Sequence, residues 1–324
     1  MMAEQSQEGK AMYRELSILS GSANPELAQE ICDYLDVPLQ GVDIIDFPNE
    51  NIFIKLHRSV RGQDVYVIQS ACSPLNRNIM ELLIIIDTLK RASAEQITAV
   101  MPLYPYARSD KKDQPRVPIT ARLIADLITV AGANRYMTID LHAGQVQGFF
   151  NIPGDELTAF HILSDYFLKK NIPNAVVVSP DLGFAKKARN FAEKLHVPLA
   201  IIEKRRKSSL RPEALNVIGD VHGKNAILVD DEVLTAGTMV EAVEILKSGG
   251  ADRIFASFTH AVLAAPATER LRSLPLEEIV TTNTVTIPPE KRLPNMTILS
   301  VAPLLGEVIR RTHLGISVGE MFNE

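Results

Sequence analysis

The chain has 324 residues, of which 46% are hydrophobic and 23% are charged, an ordinary composition for a globular protein of two domains. Its formal net charge of −5 provides no basic field that would attract nucleic acid or an anionic membrane, so any phosphate binding must come from local features. Two cysteines are too few for a disulfide framework, and the polar start MMAEQSQEGK lacks the apolar core of a secretory signal. We therefore expect a cytoplasmic protein with no nucleic-acid or membrane partner.

Apolar segments typical of strands alternate with amphipathic segments typical of helices. The sequence predicts strands at 15–21, 64–70, 97–103, 135–141, 175–181, 198–204, 225–231 and 253–260. It predicts helices at 24–35, 78–92, 119–132, 184–195 and 237–250, the first of them with Asn24 as N-cap and Pro25 at the first helical position. Several strands are unbroken apolar runs, which favours parallel strands covered on both faces. The alternation predicts a doubly wound α/β fold.

The two halves of the chain resemble each other. Residues 64–103 and 225–260 both run through strand, short loop, helix, tight turn and strand at nearly the same spacing. This repetition favours two similar doubly wound domains, each with a mainly parallel sheet flanked by helices, although any two βαβ units share this pattern. We place the boundary near 153–159, which gives domains at 12–157 and 158–309, with a C-terminal helix at 310–324 joined to the first.

The most informative segment, AILVDDEVLTAGTMVEA, covers residues 226–242. An apolar strand ends in Asp230 and Asp231, and a turn of small and hydroxyl residues then opens a helix. Small residues let backbone N–H groups approach a phosphate closely, the helix start adds its positive dipole end, and the acids can accept from sugar hydroxyls. From the pattern alone, a strand that ends in solvated acids before a Thr-capped helix is an equally good interpretation.

This segment resembles the phosphoribosyl diphosphate motif of type I phosphoribosyltransferases. Other segments resemble, in order, blocks of phosphoribosyl diphosphate synthetases, and they lie at 60–94, 105–120, 140–157, 176–189, 201–206 and 300–311. The resemblance covers roughly residues 16–324, and DLHAGQVQGFF is its most specific piece. It implies a type I phosphoribosyltransferase-like fold and an enzyme that moves the diphosphoryl group of ATP to the anomeric hydroxyl of ribose 5-phosphate, with AMP as the second product.

The resemblance also implies site residues. It implies Mg²⁺ at His142 and Asp181, and catalytic cations on a flexible loop at Lys204 and Arg206. For ATP it implies Phe47, Asn49, Asn51, Arg108, Ser109 and Asp113. For ribose 5-phosphate it implies Asp230, Asp231, Leu234, Thr235, Ala236, Gly237 and Thr238. Without the resemblance, His142 would be an ordinary loop residue and the basic run at 204–207 a solvated loop, a nuclear-targeting segment or a nucleic-acid patch.

Several positions depart from the family pattern. Leu234 stands where an acid is usual, Phe184 stands for a glycine in SPDLGF, and Ser109 stands for a glutamine. The hairpin FPNEN keeps Phe47 but has Asn49 for an acid and Asn51 for a glutamate.

Two hypotheses follow from these departures. The first is an active synthetase with an unusual site. The second is a catalytically weak or inactive homologue that assembles with active subunits and regulates them, as a hetero-oligomer with an active paralogue. The resemblance further implies a homo-oligomer of dimers that form a hexamer, with regulation by phosphate and ADP.

Overall fold

The computed structural model describes residues 15–205 and 214–321. Its helices are α1 Pro25–Leu35, α2 Leu75–Arg91, α3 Thr120–Ala131, α4 Phe160–Lys170, α5 Ala185–Leu195, α6 Gly237–Ser248, α7 Ala267–Ser273 and α8 Ala302–His313. Its strands are β1 Leu16–Ser20, β2 Leu39–Gln40, β3 Val42–Asp46, β4 Ile52–Leu56, β5 Asp64–Ile68, β6 Gln96–Met101, β7 Arg135–Ile139, β8 Gly154–Leu157, β9 Ala175–Ser179, β10 Leu199–Arg205, β11 Ala214–Ile218, β12 Asn225–Val233, β13 Ile254–Ala261, β14 Glu278–Thr282 and β15 Met296–Leu299.

The chain forms two compact units. The first extends to Leu157 and takes in the segment that starts at Ala302, and the second is Thr158–Val301. Helix α8 packs against α1 within the first unit, with Leu305, Val308 and Ile309 fully buried. The C-terminal segment of the first unit is therefore longer than the expected 310–324, because the apolar face of α8 starts at Ala302.

The first unit contains a six-stranded sheet in the order β2-β1-β5-β6-β7-β8, with every neighbouring pair parallel. All five residues of β5 are buried, as expected for a central strand covered on both faces. The antiparallel pair β3–β4 forms a separate hairpin. One face of the hairpin packs on the core through Val42, Ile44, Ile54 and Leu56, while Ile45 and Phe53 are exposed.

The second unit contains a seven-stranded sheet in the order β11-β10-β9-β12-β13-β14-β15. Only the edge strand β11 is antiparallel to its neighbour. Without β11, the strand order matches the sheet of the first unit strand for strand. The segments β5–α2–β6 and β12–α6–β13 occupy the same place in the two sheets, so the predicted fold of two similar doubly wound units is confirmed.

The predicted helices α1 and α6 are stabilised by capping and by burial of their apolar faces. The Asn24 side chain accepts a hydrogen bond from the Leu27 N–H at 3.3 Å and caps α1, and α1 buries the face that carries Leu27 and Ile31. Helix α6 buries Met239, Val243 and Leu246 against its sheet. In the part of the chain that the structure describes, no helix has both the length and the apolar content to span a bilayer.

Candidate functional site

The turn that leads from β12 into α6 lies at the carboxyl end of the second sheet. Strand β12 stays in register with β13 as far as Val233, which pairs with Ala261. The backbone N–H groups of Leu263 and Ala264 then donate to the carbonyls of Val233 and Leu234 at 3.1 and 2.8 Å. The turn is thus fixed by the neighbouring β13–α7 connection.

Residue Ala236 makes the sharp turn into α6. It adopts a left-handed conformation with φ of 60°, and its side chain is buried. Helix α6 begins at the next residue, Gly237. The first N–H groups of a helix have no partner within it and carry partial positive charge. The residues Thr235–Thr238 therefore place backbone N–H groups without helical partners at the carboxyl end of the sheet.

Arg270 of α7 is a site residue that no local sequence pattern indicates. Its Nη1 donates to the Thr235 carbonyl at 2.9 Å, so a cation lies beside the turn. Arg270 follows the turn by more than thirty residues, and its local sequence resembles any exposed helix. The strand order could have indicated Arg270, because β13 lies next to β12 and the connection after β13 must reach the same edge of the sheet.

Two adjacent carboxylates precede the turn. Asp231 is buried, and its backbone N–H donates to Oδ1 of Asp230 at 2.9 Å. Burial raises the pKa of the Asp230 carboxyl well above its usual range, and the negative charges of Asp231 and Asp181 raise it further. The structure therefore brings the three predicted acids of this unit into one electrostatic cluster.

Asp181 follows β9, the strand next to β12. Its side chain is exposed, and its Oδ1 accepts the backbone N–H of Phe184 at 2.9 Å. The Phe184 ring is partly buried and lies 5.9 Å from the Lys187 ammonium. One carboxylate oxygen of Asp181 thus shapes the turn into α5.

In the first unit, the loop that carries His142 follows β7. Asp140 has a positive φ of 42°, and the N–H of Leu141 donates to the Glu156 carboxylate at 3.0 Å. His142 itself is exposed. Gln145, three residues later, hydrogen-bonds the buried carboxylate of Asp110. This contact brings together two segments that the sequence predicts to be functional, 105–120 and 140–157.

The predicted ATP residues of segment 105–120 have different environments. Arg108 and Asp113 are exposed. The Ser109 hydroxyl accepts the Thr120 N–H at 3.1 Å, and its carbonyl accepts the Ala121 N–H at 3.1 Å. Ser109 therefore caps the start of α3, a structural use of the hydroxyl that its sequence position did not indicate.

The hairpin β3–β4 ends in the tight turn 47–51. The N–H of Phe47 donates to the Asn51 carbonyl at 2.8 Å, and the Asn51 N–H donates to Oδ1 of Asn49 at 3.3 Å. Phe47 is 47% exposed, and its ring centroid lies 6.0 Å from that of Phe53. The turn thus presents an aromatic surface beside two amides.

The predicted catalytic cations are only partly described. Lys204 belongs to β10, where its backbone pairs with Leu215, but its side chain and all of Arg206 lie outside the described residues. Among the described residues, no three His, Cys, Asp or Glu side chains form a cluster able to hold a metal ion.

Two parallel α/β units of equal strand order, one with an anion-binding turn after paired carboxylates, define the class of phosphoribosyltransferase-like α/β proteins. Residues 16–132 match the N-terminal domain of ribose phosphate pyrophosphokinase, and residues 209–323 match the phosphoribosyl synthetase-associated domain. The chain therefore belongs to the ribose-phosphate pyrophosphokinase family of enzymes.

Full-length relatives agree with this assignment. The ribose-phosphate pyrophosphokinase of Caldanaerobacter subterraneus subsp. tengcongensis is 52% identical over 308 residues, which cover 95% of this chain and 98% of that protein. The enzyme of the same name from Synechococcus elongatus is 50% identical, with 95% of this chain and 93% of that protein covered. The crystal structure of phosphoribosylpyrophosphate synthetase from Mycobacterium smegmatis superposes with a TM-score of 0.89 at 44% identity, covering 93% of this chain and 100% of that one.

Proposed function

We propose that this chain transfers the diphosphoryl group of ATP to the anomeric hydroxyl of ribose 5-phosphate, giving phosphoribosyl diphosphate and AMP. The observation that best supports this proposal is the pair Asp230–Asp231 near the end of β12, followed by the turn into α6. This combination suits a sugar phosphate, because the carboxylates can accept hydrogen bonds from the sugar hydroxyls while the turn binds the phosphate. The near full-length identity to proteins named for the activity supports the same conclusion.

The sugar side of the reaction uses the second unit. The first-turn N–H groups of α6 bind the 5-phosphate, and the hydroxyls of Thr235 and Thr238 add donors. Arg270, bonded to the Thr235 carbonyl, adds positive charge. Asp230, whose pKa is raised, holds a proton more readily than an ordinary carboxyl and hydrogen-bonds the ribose hydroxyls together with Asp231.

The nucleotide side uses the residues that the resemblance implies for ATP and for catalysis. Phe47 stacks on the base, Asn49 and Asn51 supply amides, and Arg108, Ser109 and Asp113 contact the remainder of ATP. Lys204 and Arg206 compensate the negative charge of the transferring group. This arrangement relies on positioning and charge compensation, as phosphoryl transfer requires.

We propose Mg²⁺ as the metal of the reaction. Asp181 offers an exposed hard oxygen ligand, and Mg²⁺ takes few protein ligands because it keeps waters and substrate phosphates. We assign Asp181 to hold it. When bound, Mg²⁺ neutralises phosphate charge and orients the diphosphoryl group.

Direct measurement of both products tests the proposed activity. Purified chain, ribose 5-phosphate and Mg-ATP should give AMP and phosphoribosyl diphosphate in equal amounts, with neither formed when ribose 5-phosphate is omitted. The products are separated and quantified by anion-exchange chromatography. If no AMP forms at saturating substrates, the alternative role applies, and the chain should instead change the rate of an added active synthetase.

We also propose a cytoplasmic location and assembly with further copies of the chain. Both cysteines are free and buried, as is usual in a reducing compartment. Helix α3 exposes a row of apolar side chains four and three residues apart, with Leu123 54%, Leu127 39% and Val130 77% exposed. Homo-oligomer interfaces are richer in apolar side chains than ordinary surface, so this row is suited to self-association.

The assembly proposal gives a direct prediction. Leu127→Glu should lower the mass measured by light scattering to that of a smaller assembly, because a charge in an apolar interface is left unpaired. Leu168→Glu is the matched control, since Leu168 is 45% exposed on α4 and should leave the mass unchanged. An unaltered mass for Leu127→Glu, with circular dichroism intact, would exclude this face as the interface.

A further inference from the structure

A charged pair ties the β3–β4 hairpin to α2. Nη2 of Arg77 donates to both carboxylate oxygens of Asp46, at 2.9 and 2.8 Å. Hydrogen bonds between two charged groups are shorter and stronger than those between neutral groups. Asp46 is the last residue of β3 and pairs with Ile52, so the contact lies one residue before Phe47.

Arg77 is itself held by the core of the first unit. Its Nη1 lies 2.6 Å from Oε2 of Glu81, whose side chain is 0% exposed. Glu81 also accepts the backbone N–H of Ser22 at 2.6 Å and the amide of Gln69 at 2.8 Å. Because these partners follow β1 and β5, the position of the Arg77 guanidinium is set by the carboxyl edge of the sheet.

The end of the hairpin has few other constraints on its outward side. Ile45 and Phe53 are cross-strand partners, and they are 44% and 45% exposed. A two-stranded hairpin alone is marginally stable in water. The inward residues Ile44 and Ile54 fix the body of the hairpin, whereas Asp46 supplies the polar contact next to the turn.

We propose that the Asp46–Arg77 ion pair is a positioning device that orients the turn 47–51 for the nucleotide base. Neither residue touches the base; both act through Phe47. This inference rests on the proposed function, in which Phe47 stacks on adenine. If the turn is already ordered before the nucleotide binds, less conformational entropy is lost on binding. The ion pair should therefore affect nucleotide affinity rather than the chemical step.

Asp46→Asn is the decisive variant. It keeps the shape of the side chain and leaves the Arg77–Glu81 pair in place, whereas Arg77→Ala would strand the buried Glu81 charge and endanger folding. We expect the KM for ATP to rise about fivefold, a moderate effect for a partly exposed pair. The kcat and the KM for ribose 5-phosphate should stay within about twofold. Asp46→Glu should recover part of the loss.

The chain offers a matched control on the same helix. Arg91 and Asp87 of α2 form an exposed ion pair at 2.7 Å, far along the helix from Arg77. Asp87→Asn should leave all kinetic constants unchanged. Hydrogen exchange provides a second readout, since the amides of Phe47 and Glu50 bond within the turn and should exchange faster in Asp46→Asn, but not in Asp87→Asn, if the turn loses its orientation.

Phe47→Ala separates failure of this inference from failure of the proposed function. If Phe47→Ala leaves the KM for ATP unchanged, the turn does not bind the nucleotide and the proposed ATP assignment is wrong. If Phe47→Ala raises that KM while Asp46→Asn does not, the nucleotide site stands and the positioning role is wrong. A fall in kcat or thermal stability of Asp46→Asn with an unchanged KM also overturns the positioning role.

Discussion

Asp230→Asn is expected to lower kcat/KM by about 10²-fold or more and to raise the Tm by about 2–4 °C. Activity should fall because the ribose loses a carboxylate that holds its hydroxyls. Stability should rise because the variant removes a desolvated charge that faces Asp231 and Asp181. The asparagine Oδ1 can still accept the Asp231 N–H, a bond of 2.9 Å with the native residue.

The stability gain should depend on pH. The folded-state pKa of Asp230 is raised above the unfolded value, so its proton stabilises the folded state fully at low pH. That contribution is lost as pH rises from about 4 through the folded pKa. The difference in unfolding free energy between Asp230→Asn and the native chain should therefore grow with pH over this window. Calorimetry without added Mg²⁺ measures it.

Asp220→Asn is a suitable control for this prediction. The Asp220 pKa is lowered by hydrogen bonds from Lys224 and from the His222 backbone, the opposite environment to that of Asp230. This variant should retain activity and show no increase in Tm. If Asp230→Asn lost activity without any gain in Tm, burial and like-charge repulsion would not govern Asp230 in the folded chain.

Leu234→Asp is expected to raise kcat/KM for ribose 5-phosphate, by about tenfold. Leu234 is 37% exposed and its backbone is held by the Ala264 N–H at 2.8 Å, so the substitution leaves the turn in place. The new carboxylate adds an acceptor beside Thr235, at the edge of the sheet where Asp230 and Asp231 already lie. Steady-state kinetics with varied ribose 5-phosphate measures the gain.

Leu182→Asp provides the matched control. Leu182 is 59% exposed and follows Asp181, so its replacement adds equal charge on the same side of the second sheet but outside the turn. Only Leu234→Asp should improve the sugar kinetics. Equal effects of the two variants would indicate a general electrostatic change, and a loss of activity in Leu234→Asp alone would show that the turn works without an acid at this position.

The sequence is sufficient for most of the fold because its local patterns agree with its tertiary structure. The apolar runs at 65–68 and 226–229 lie in buried central strands, and Asn24 and Pro25 mark the start of α1. The repeat of strand, helix and strand indicated two similar sheets. The small residues before α6 likewise indicate the turn, because short side chains leave the backbone N–H groups at the start of the helix accessible.

Contacts between distant residues could not be predicted in the same way. Arg270 and Thr235 are 35 residues apart, and Arg77 and Asp46 are 31 apart, so no local pattern connects them. The sequence indicates Ser109 only as a ligand residue. Its capping of α3 could not be predicted, because it depends on a loop that returns to Thr120. The pKa of Asp230 is raised chiefly by burial and further by Asp231 and by Asp181, which follows the neighbouring strand β9. Local periodicity does not reveal which strands are neighbours.

The equal strand order of the two sheets means that the β5–α2 junction is the structural counterpart of β12–α6. At the first junction, Gln69 donates to Glu81 and to the Asn78 carbonyl, and Asn78 donates to the Cys72 carbonyl at 3.0 Å. The first junction is therefore filled by a network of side-chain amides and a carboxylate, which serves as scaffolding. The second junction instead carries a turn of small residues at the same place in its sheet.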